Sequence, residues 1–382
     1  MYEDLHFRRQ FLLTLSPIPQ LAHWQCLQVA HHYIYAHPDL ELNHVEDSKN
    51  TVVLFGSIFD PEAPEKGNAD ILKTISDDTN NITDLFLRIK GYAGRYALFY
   101  KEDHNAIILH DALALREIYY CTKDNNIICG SQPNLISMFA SPEINPRTDF
   151  DFLEYYSKHL HESRWNPLNK WIGDETYYKD IKHLLPNHYL DINKHEADRY
   201  WPNAPIKRLN LDEAVARSCK FLQGSIKAIA HRHHIMMAVT AGTDSRTLLA
   251  ASRDLKDNIY YFINNQDLGH SHPDLTVPKR IFENIGVPFH IHEVPKDVDN
   301  DFRKIFLNNT FFASARMLPT IYNVYFKNFN ARVNILGIGE IGRTRYGKEP
   351  KKLNSYRLLY KLGHREGPYV IGQSEKILKE LL

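Results

Sequence analysis

Residues Ile235–Leu249 read IMMAVTAGTDSRTLL, and the reading of this stretch decides the second half of the chain. An apolar run ends at Val239, passes through Thr-Ala-Gly-Thr-Asp-Ser-Arg, and resumes with helical spacing. In an open α/β sheet, ligands sit beyond the carboxyl ends of the strands. A strand that turns tightly into a helix aims its first amides, and the positive end of the helix dipole, at that place. Gly242 allows close approach of an anion, while Thr240, Thr243 and Ser245 supply hydroxyls. Asp244 would repel a bare phosphate but suits one bridged by Mg2+. An ordinary turn, with Asp244 and Ser245 capping the helix, explains the same residues equally well. The GxxxxGK[ST] spacing of a Walker loop is absent.

Outward from this turn the pattern is strand then helix, repeatedly. Asn210 is placed to cap a helix over 211–232, with Val215, Leu222, Ile226 and Ile229 on one face. Strands follow over 235–240, 258–263, 288–294 and 332–338. Helices lie between them over 244–253 and 274–285, the latter stopped by Gly286, and two more helical stretches precede the last strand. Continuous apolar strands alternating with helices predict a doubly wound parallel sheet. Before the linker PNAPIKRLN (202–210) the period is two. VVLFGSIF (52–59), GRYALFY (94–100), AIILHDA (106–112), EIYYCT (117–122) and NIICGS (126–131) are separated by polar turns. They predict antiparallel hairpins, with helices near 68–76, 81–90 and 148–160. The chain therefore divides into 1–203 and 204–382.

Charge and cysteine content narrow the functional classes. Lys and Arg total 46 and so do Asp and Glu, so no global field draws the chain to nucleic acid or anionic lipid. No apolar run reaches the ~20 residues of a membrane span, and MYEDLHFRRQFLLTL lacks the pattern of a cleaved signal. A cytoplasmic location is expected. Cys26, Cys121, Cys129 and Cys219 form no CxxC pair, which argues against a disulfide framework, structural zinc or paired-thiol chemistry. His231, His233, His234, His270 and His272 read as solvated turns rather than metal ligands.

Several stretches together resemble the asparagine synthetase family, including the β-lactam synthetases. VTAGTDSR (239–246) resembles the SGGxDS pyrophosphate loop shared with the ATP pyrophosphatases. The stretch from Gly91 to Ile136 resembles the GxFAFALWD…RDxxGxxPLYY…ASExKAL region of that family's glutaminase half. LLPNHYLDINKHEADRYW (184–201) is similar to its LPPGHYL…RYW hairpin. DLTVPKRIFENIGVPFHIHEV (274–294) and ILGIGEIGRTRYG (335–347) occupy the places of two later family segments, all in family order.

The resemblance implies an N-terminal Ntn-hydrolase-like antiparallel β-sandwich with helices, and a C-terminal Rossmann-like ATP pyrophosphatase sheet. It implies ATP and Mg2+ as cofactors. Thr240, Gly242, Thr243, Asp244 and Ser245 would hold pyrophosphate, and Asp244 and Asp274 the metal. Backbone near Val239, Ile263 and Asn264 would flank adenine. Arg246 stands where relatives carry Ser and suits either an anion or a solvated helix face. Glu340 either orients substrate or caps a helix. Arg343, Arg345 and Lys348 either replace the family's later catalytic lysine or form a solvated basic face.

Departures from the family pattern are equally informative. The family's glutaminase needs an N-terminal cysteine as nucleophile, whereas Met1 is followed by Tyr2 and the nearest cysteine is Cys26. Phe55-Gly56 stands in place of the glutamine-binding Asn-Gly pair, although Asp70 fits the family's glutamine-binding aspartate. Glutamine hydrolysis is not expected, and the N-terminal half becomes scaffold. The stretch after Tyr346 is shorter than in the family. The expected activity is AMP-forming activation of a small-molecule or peptide carboxylate for amide formation. A nucleobase- or tRNA-modifying ATP pyrophosphatase and a non-catalytic nucleotide-binding protein remain alternatives. Nucleic acid and membrane are disfavoured as partners, and a homodimer is left open.

Overall fold

In the structure, a computed structural model, residues 2–123, 126–139, 146–161, 171, 173–311, 317–337 and 368–381 are described. Two six-stranded sheets come first. One holds β1 (Phe11–Thr14), β2 (Gln25–Val29), β3 (His32–Ala36), β8 (Tyr119–Lys123), β9 (Asn126–Gly130) and β10 (Ile181–His183), in the order β10-β8-β9-β1-β3-β2. The other holds β4 (Leu42–Glu46), β5 (Asn50–Phe59), β6 (Ala93–Glu102), β7 (Asn105–His110), β11 (His188–Asp191) and β12 (Glu196–Arg199), in the order β12-β11-β7-β6-β5-β4. Every pairing in both sheets is antiparallel.

The strict alternation of strand side chains sorts these residues between layers. Val53, Phe55, Ala97, Phe99 and Ile108 point toward the first sheet and meet Phe11, Leu13 and Ile34 there. Their neighbours Val52, Leu54, Leu98 and Leu109 point the other way, onto Ile71, Leu72 and Ile75 of helix α1 (Asn68–Asp78), beside α2 (Ile82–Arg88). The outer face of the first sheet is covered by α3 (Pro133–Phe139), through Leu135 and Ile136. The result is a helix–sheet–sheet–helix sandwich: the antiparallel hairpins are those the period-two pattern predicts, and the layered arrangement is the one the family resemblance implies. Because β5 is buried on both faces, it carries apolar residues at successive positions rather than at alternate ones.

The second half is built on β13 (His234–Ala238), β14 (Ile259–Asn265), β15 (Phe289–Glu293) and β16 (Arg332–Ile335), ordered β15-β14-β13-β16. All its pairs are parallel. Among its helices, α5 (Leu211–Arg232), α6 (Thr243–Ala251) and α7 (Pro273–Ile285) pack one face. Asn210 caps α5, its side chain accepting from Glu213 N at 2.8 Å. Gly286 ends α7 in the left-handed region at φ 66°, a conformation that glycine adopts without strain. A π-helical turn, Ile321–Phe326, continues α9 (Leu318–Thr320), sets Tyr325 against Phe262 of β14, and packs Tyr322 and Phe326 on Phe302 of α8 (Asn300–Asn309). The mixed architecture is thus antiparallel sandwich first and parallel sheet second.

One expectation about α5 needs correction. Ile226 is buried, but Val215 is 51% exposed, because the first half of the helix extends beyond the sheet it was expected to cover. The halves also share chain. Tyr2 packs on Phe302 and Phe326. Helix α4 (Phe150–His161) meets α10 (Pro368–Leu381) through Phe152, Tyr155 and Tyr369. Arg232 donates to Ile58 O and Asn68 Oδ1, each at 3.0 Å, with its guanidinium 4.1 Å from the Phe59 ring centre.

Candidate functional site

The strand order locates the site. From β13 the chain moves one way to β14 and β15, then crosses to the other side of β13 for β16. The carboxyl ends of β13 and β16 therefore flank a topological switch point, where ligands bind in open α/β sheets. The turn 239–246 leaves β13 at this point. Gly337, which follows β16, lies against it: a β-carbon there would sit 2.7 Å from Ser245 N and 2.9 Å from the Asp244 carbonyl carbon.

The turn is held mainly by its own side chains. Thr240 N donates to Ser245 Oγ at 3.0 Å, and Gly242 N donates to Thr240 Oγ1 at 3.1 Å. The Ser245 hydroxyl is buried and lies 3.3 Å from both Thr240 O and Gly242 O. Ala241 N donates to Asp274 Oδ1 at 2.9 Å. That bond brings the start of α7 onto the loop after β13. Three amides of the turn thus already have acceptors. The capping bond of α6 runs from Arg246 N to Gly242 O at 3.4 Å.

Asp274 is the second residue of α7, capped by His272, whose Nδ1 accepts from Asp274 N at 3.1 Å. The same nitrogen stands 3.8 Å from Asp274 Oδ2. Oδ2 meets no hydrogen-bond donor among the described residues. Arg246 is exposed, with Nε donating back to Gly242 O at 3.2 Å, and Thr243 is also exposed. Val239 and Ile263 are buried side chains, and Val239 N donates to Phe262 O at 2.9 Å. Glu340, Arg343, Arg345 and Lys348 lie outside the described residues.

The structure adds a polar network beside the loop that periodicity alone did not single out. Asn264 donates to the Tyr325 hydroxyl at 3.1 Å, on the π-helical turn, and its Oδ1 lies 3.3 Å from His292 Nδ1. His292 Nε2 is 2.9 Å from the Tyr260 hydroxyl. Burial, reinforced by nearby His290, lowers the His292 pKa, which favours the neutral ring in this network. Asn265 bonds both Glu293 oxygens, at 2.9 and 3.0 Å. The sequence signal was present as Asn264-Asn265 and His292-Glu293, where polar pairs end two apolar strands.

Among the described residues, no cysteine stands at the start of the antiparallel half. Strand β1 begins at Phe11, and the residues before it are pinned to α8. Asn309 accepts from Phe7 N at 2.7 Å and donates to Leu5 O at 2.5 Å, while Gln10 donates to Asn309 O at 2.7 Å. Phe55 is buried against Phe11, ring centres 4.4 Å apart. Asp70 accepts from Gly67 N at 3.1 Å and closes the first turn of α1. Cys26 and Cys219 are exposed, whereas Cys121 and Cys129 are buried; burial pushes the Cys129 thiol well above the range of a reactive thiolate.

No helix among the described residues is long and apolar enough to cross a membrane. No protein-family model matches the chain, and no curated protein matches it. Among solved structures, a glutamine phosphoribosylpyrophosphate amidotransferase from B. subtilis, complexed with ADP and GMP, is 10% identical. The match covers 78% of this chain and 90% of that one with a TM-score of 0.31. A structure described as the allosteric regulatory enzyme of purine biosynthesis is also 10% identical, covering 82% and 75% with a TM-score of 0.30. A likeness this distant says nothing about chemistry.

Proposed function

We propose that the chain is an ATP-dependent, AMP-forming ligase that activates a carboxylate for amide formation, with no glutamine hydrolysis. The observation that carries this reading is the Ala241 N to Asp274 Oδ1 bond. It assembles, from sequence positions far apart, a loop, two helix N-termini and a carboxylate oxygen without a donor at the sheet's switch point. Phosphates favour helix N-termini, where amides and dipole act together. Mg2+ takes one or two carboxylates and completes its shell from phosphate oxygens and water. Asp244 and Asp274 are the residues that would hold it, and it would neutralise charge on the polyphosphate. Among the described residues no cluster of three or more metal-binding side chains occurs, which suits an ion arriving with its nucleotide.

In this reading the substrate carboxylate oxygen attacks the α-phosphorus and pyrophosphate leaves. An amine then attacks the acyl carbon of the adenylate, and AMP leaves. The chain's own task is positioning and charge stabilisation. Ser245 keeps the turn in shape, and the positive end of the α6 dipole favours the charge of the leaving group.

The experiment is incubation with Mg-ATP and candidate carboxylates and amines, scored for AMP and pyrophosphate. The expected result is product formation that falls at least ~100-fold in Asp244→Ala, the scale on which one electrostatic contact acts in catalysis. Equal rates in that variant would overturn the metal assignment. A second reading, nucleotide binding without catalysis, is favoured by the internal engagement of the Thr240, Ala241 and Gly242 amides. It predicts ATP binding with no AMP under any pairing of substrates. Failure to bind ATP would defeat both readings.

A further inference from the structure

At the amino end of β1, far in sequence from the 239–246 turn, three arginines gather without matching acids. Arg116 is half-buried, and its Nη1 donates to Arg9 O at 2.8 Å. Its Nη2 lies over Gly56, 3.2 Å from where a β-carbon would stand. Its Nε is buried and, among the described residues, has no hydrogen-bond partner. Arg95 is exposed and donates from Nε to Leu115 O at 2.9 Å, one residue before Arg116. Arg9 is exposed and held at φ 58°, in the left-handed region that side chains other than glycine rarely adopt.

The acids nearby are occupied elsewhere. Asp39 pairs with Arg8 at 2.6 Å. Glu41 accepts from Asn68 at 2.8 Å and from Ser57 at 3.1 Å. Asp111 accepts the amides of Tyr96, Leu113, Leu115 and Arg116 at 2.9–3.3 Å. Among the described residues, Arg9, Arg95 and Arg116 form no ion pair. Their mutual repulsion is felt: burial, then Arg95 and Arg9, push the Arg116 pKa down to about 9. Partial desolvation by the surrounding chain, then Arg8 and Arg95, likewise lower that of Arg9 although its side chain reaches solvent.

Guanidinium groups are planar, carry fixed donor forks and pair bidentately with oxyanions. Crowding three of them is unfavourable alone and becomes favourable once an anion sits between them. The geometry points to a site for a doubly charged oxyanion, a phosphate ester or a dicarboxylate, with Arg116 as its floor and Arg9 and Arg95 as its rim. Leu113 and Leu115, both about half exposed, flank the floor and offer apolar surface to the rest of such a molecule. This site is independent of any nucleotide chemistry at the parallel sheet.

The test is calorimetric titration of the full chain at low ionic strength with inorganic phosphate and, separately, with succinate, against sodium chloride of matched ionic strength. Saturable binding of either anion at one site per chain is expected. A preference for phosphate would mark a phosphorylated ligand, and a preference for succinate a dicarboxylate. Arg9→Gln and Arg95→Gln alter exposed side chains, so their melting temperatures without anion should match the parent. Each should weaken binding roughly tenfold, on the scale of one charge-assisted contact. Arg116→Gln should abolish it. No saturable binding of either anion, unchanged affinity in the exposed variants, or an equal response to chloride would each overturn the proposal.

Discussion

Gly337 shows how one missing methyl group shapes the candidate site. The atoms that a β-carbon would strike, Ser245 N and the Asp244 carbonyl carbon, belong to the backbone and cannot rotate away. Gly337→Ala should therefore force the β16 loop and α6 apart and destabilise the chain by ~1–3 kcal/mol, the usual cost of overpacking. The denaturant midpoint measures this directly, with the slope unchanged if the fold survives. Ser245 teaches a related lesson. Its type and position suggest a ligand hydroxyl, yet the side chain is buried and bonded within its own turn. Whether a serine faces solvent or its own loop depends on a rotamer, which sequence does not encode.

Helix α5 sets propensity against packing. Glycine inside a helix costs ~1 kcal/mol relative to alanine, so Gly224→Ala would ordinarily stabilise. A β-carbon at 224, however, would fall 2.0 Å from Pro61 O in the sandwich half, and the clash decides the sign. The variant should lose stability, again by ~1–3 kcal/mol, read as a lower denaturant midpoint. The strands and helices flanking this contact were legible because apolar period and caps are local: Asn210 and Gly286 stand where α5 starts and α7 ends. The contact itself was not legible, since it joins residues from different halves. The same reason hid the overhang of Val215 and the convergence of Arg9, Arg95 and Arg116. For the site, the switch-point turn could be read from its residue types, while the engagement of its amides required coordinates.

Across the whole molecule, burial keeps histidines neutral. It lowers the pKa of His32, His37, His110, His188, His233 and His292, that of His32 to about 4. Unfolded, these rings take up protons near pH 6.5. Above that pH both states are neutral and stability is insensitive to them. As pH falls from 6.5 toward 4 the unfolded chain binds protons that the fold excludes, so stability declines with acidification. Denaturant midpoints at pH 7, 5.5 and 4.5 should fall in that order. His32→Phe, which replaces a ring tilted against His31 and edge-on to Phe99, should flatten part of the slope. The two halves also depend on each other in time. Asn309 secures the backbone of Leu5, 304 positions earlier. At ~5–20 residues per second on a ribosome, the opening segment waits roughly 15–60 s for its anchor to be synthesised. During that interval the nascent sandwich must stand with its leading edge untied.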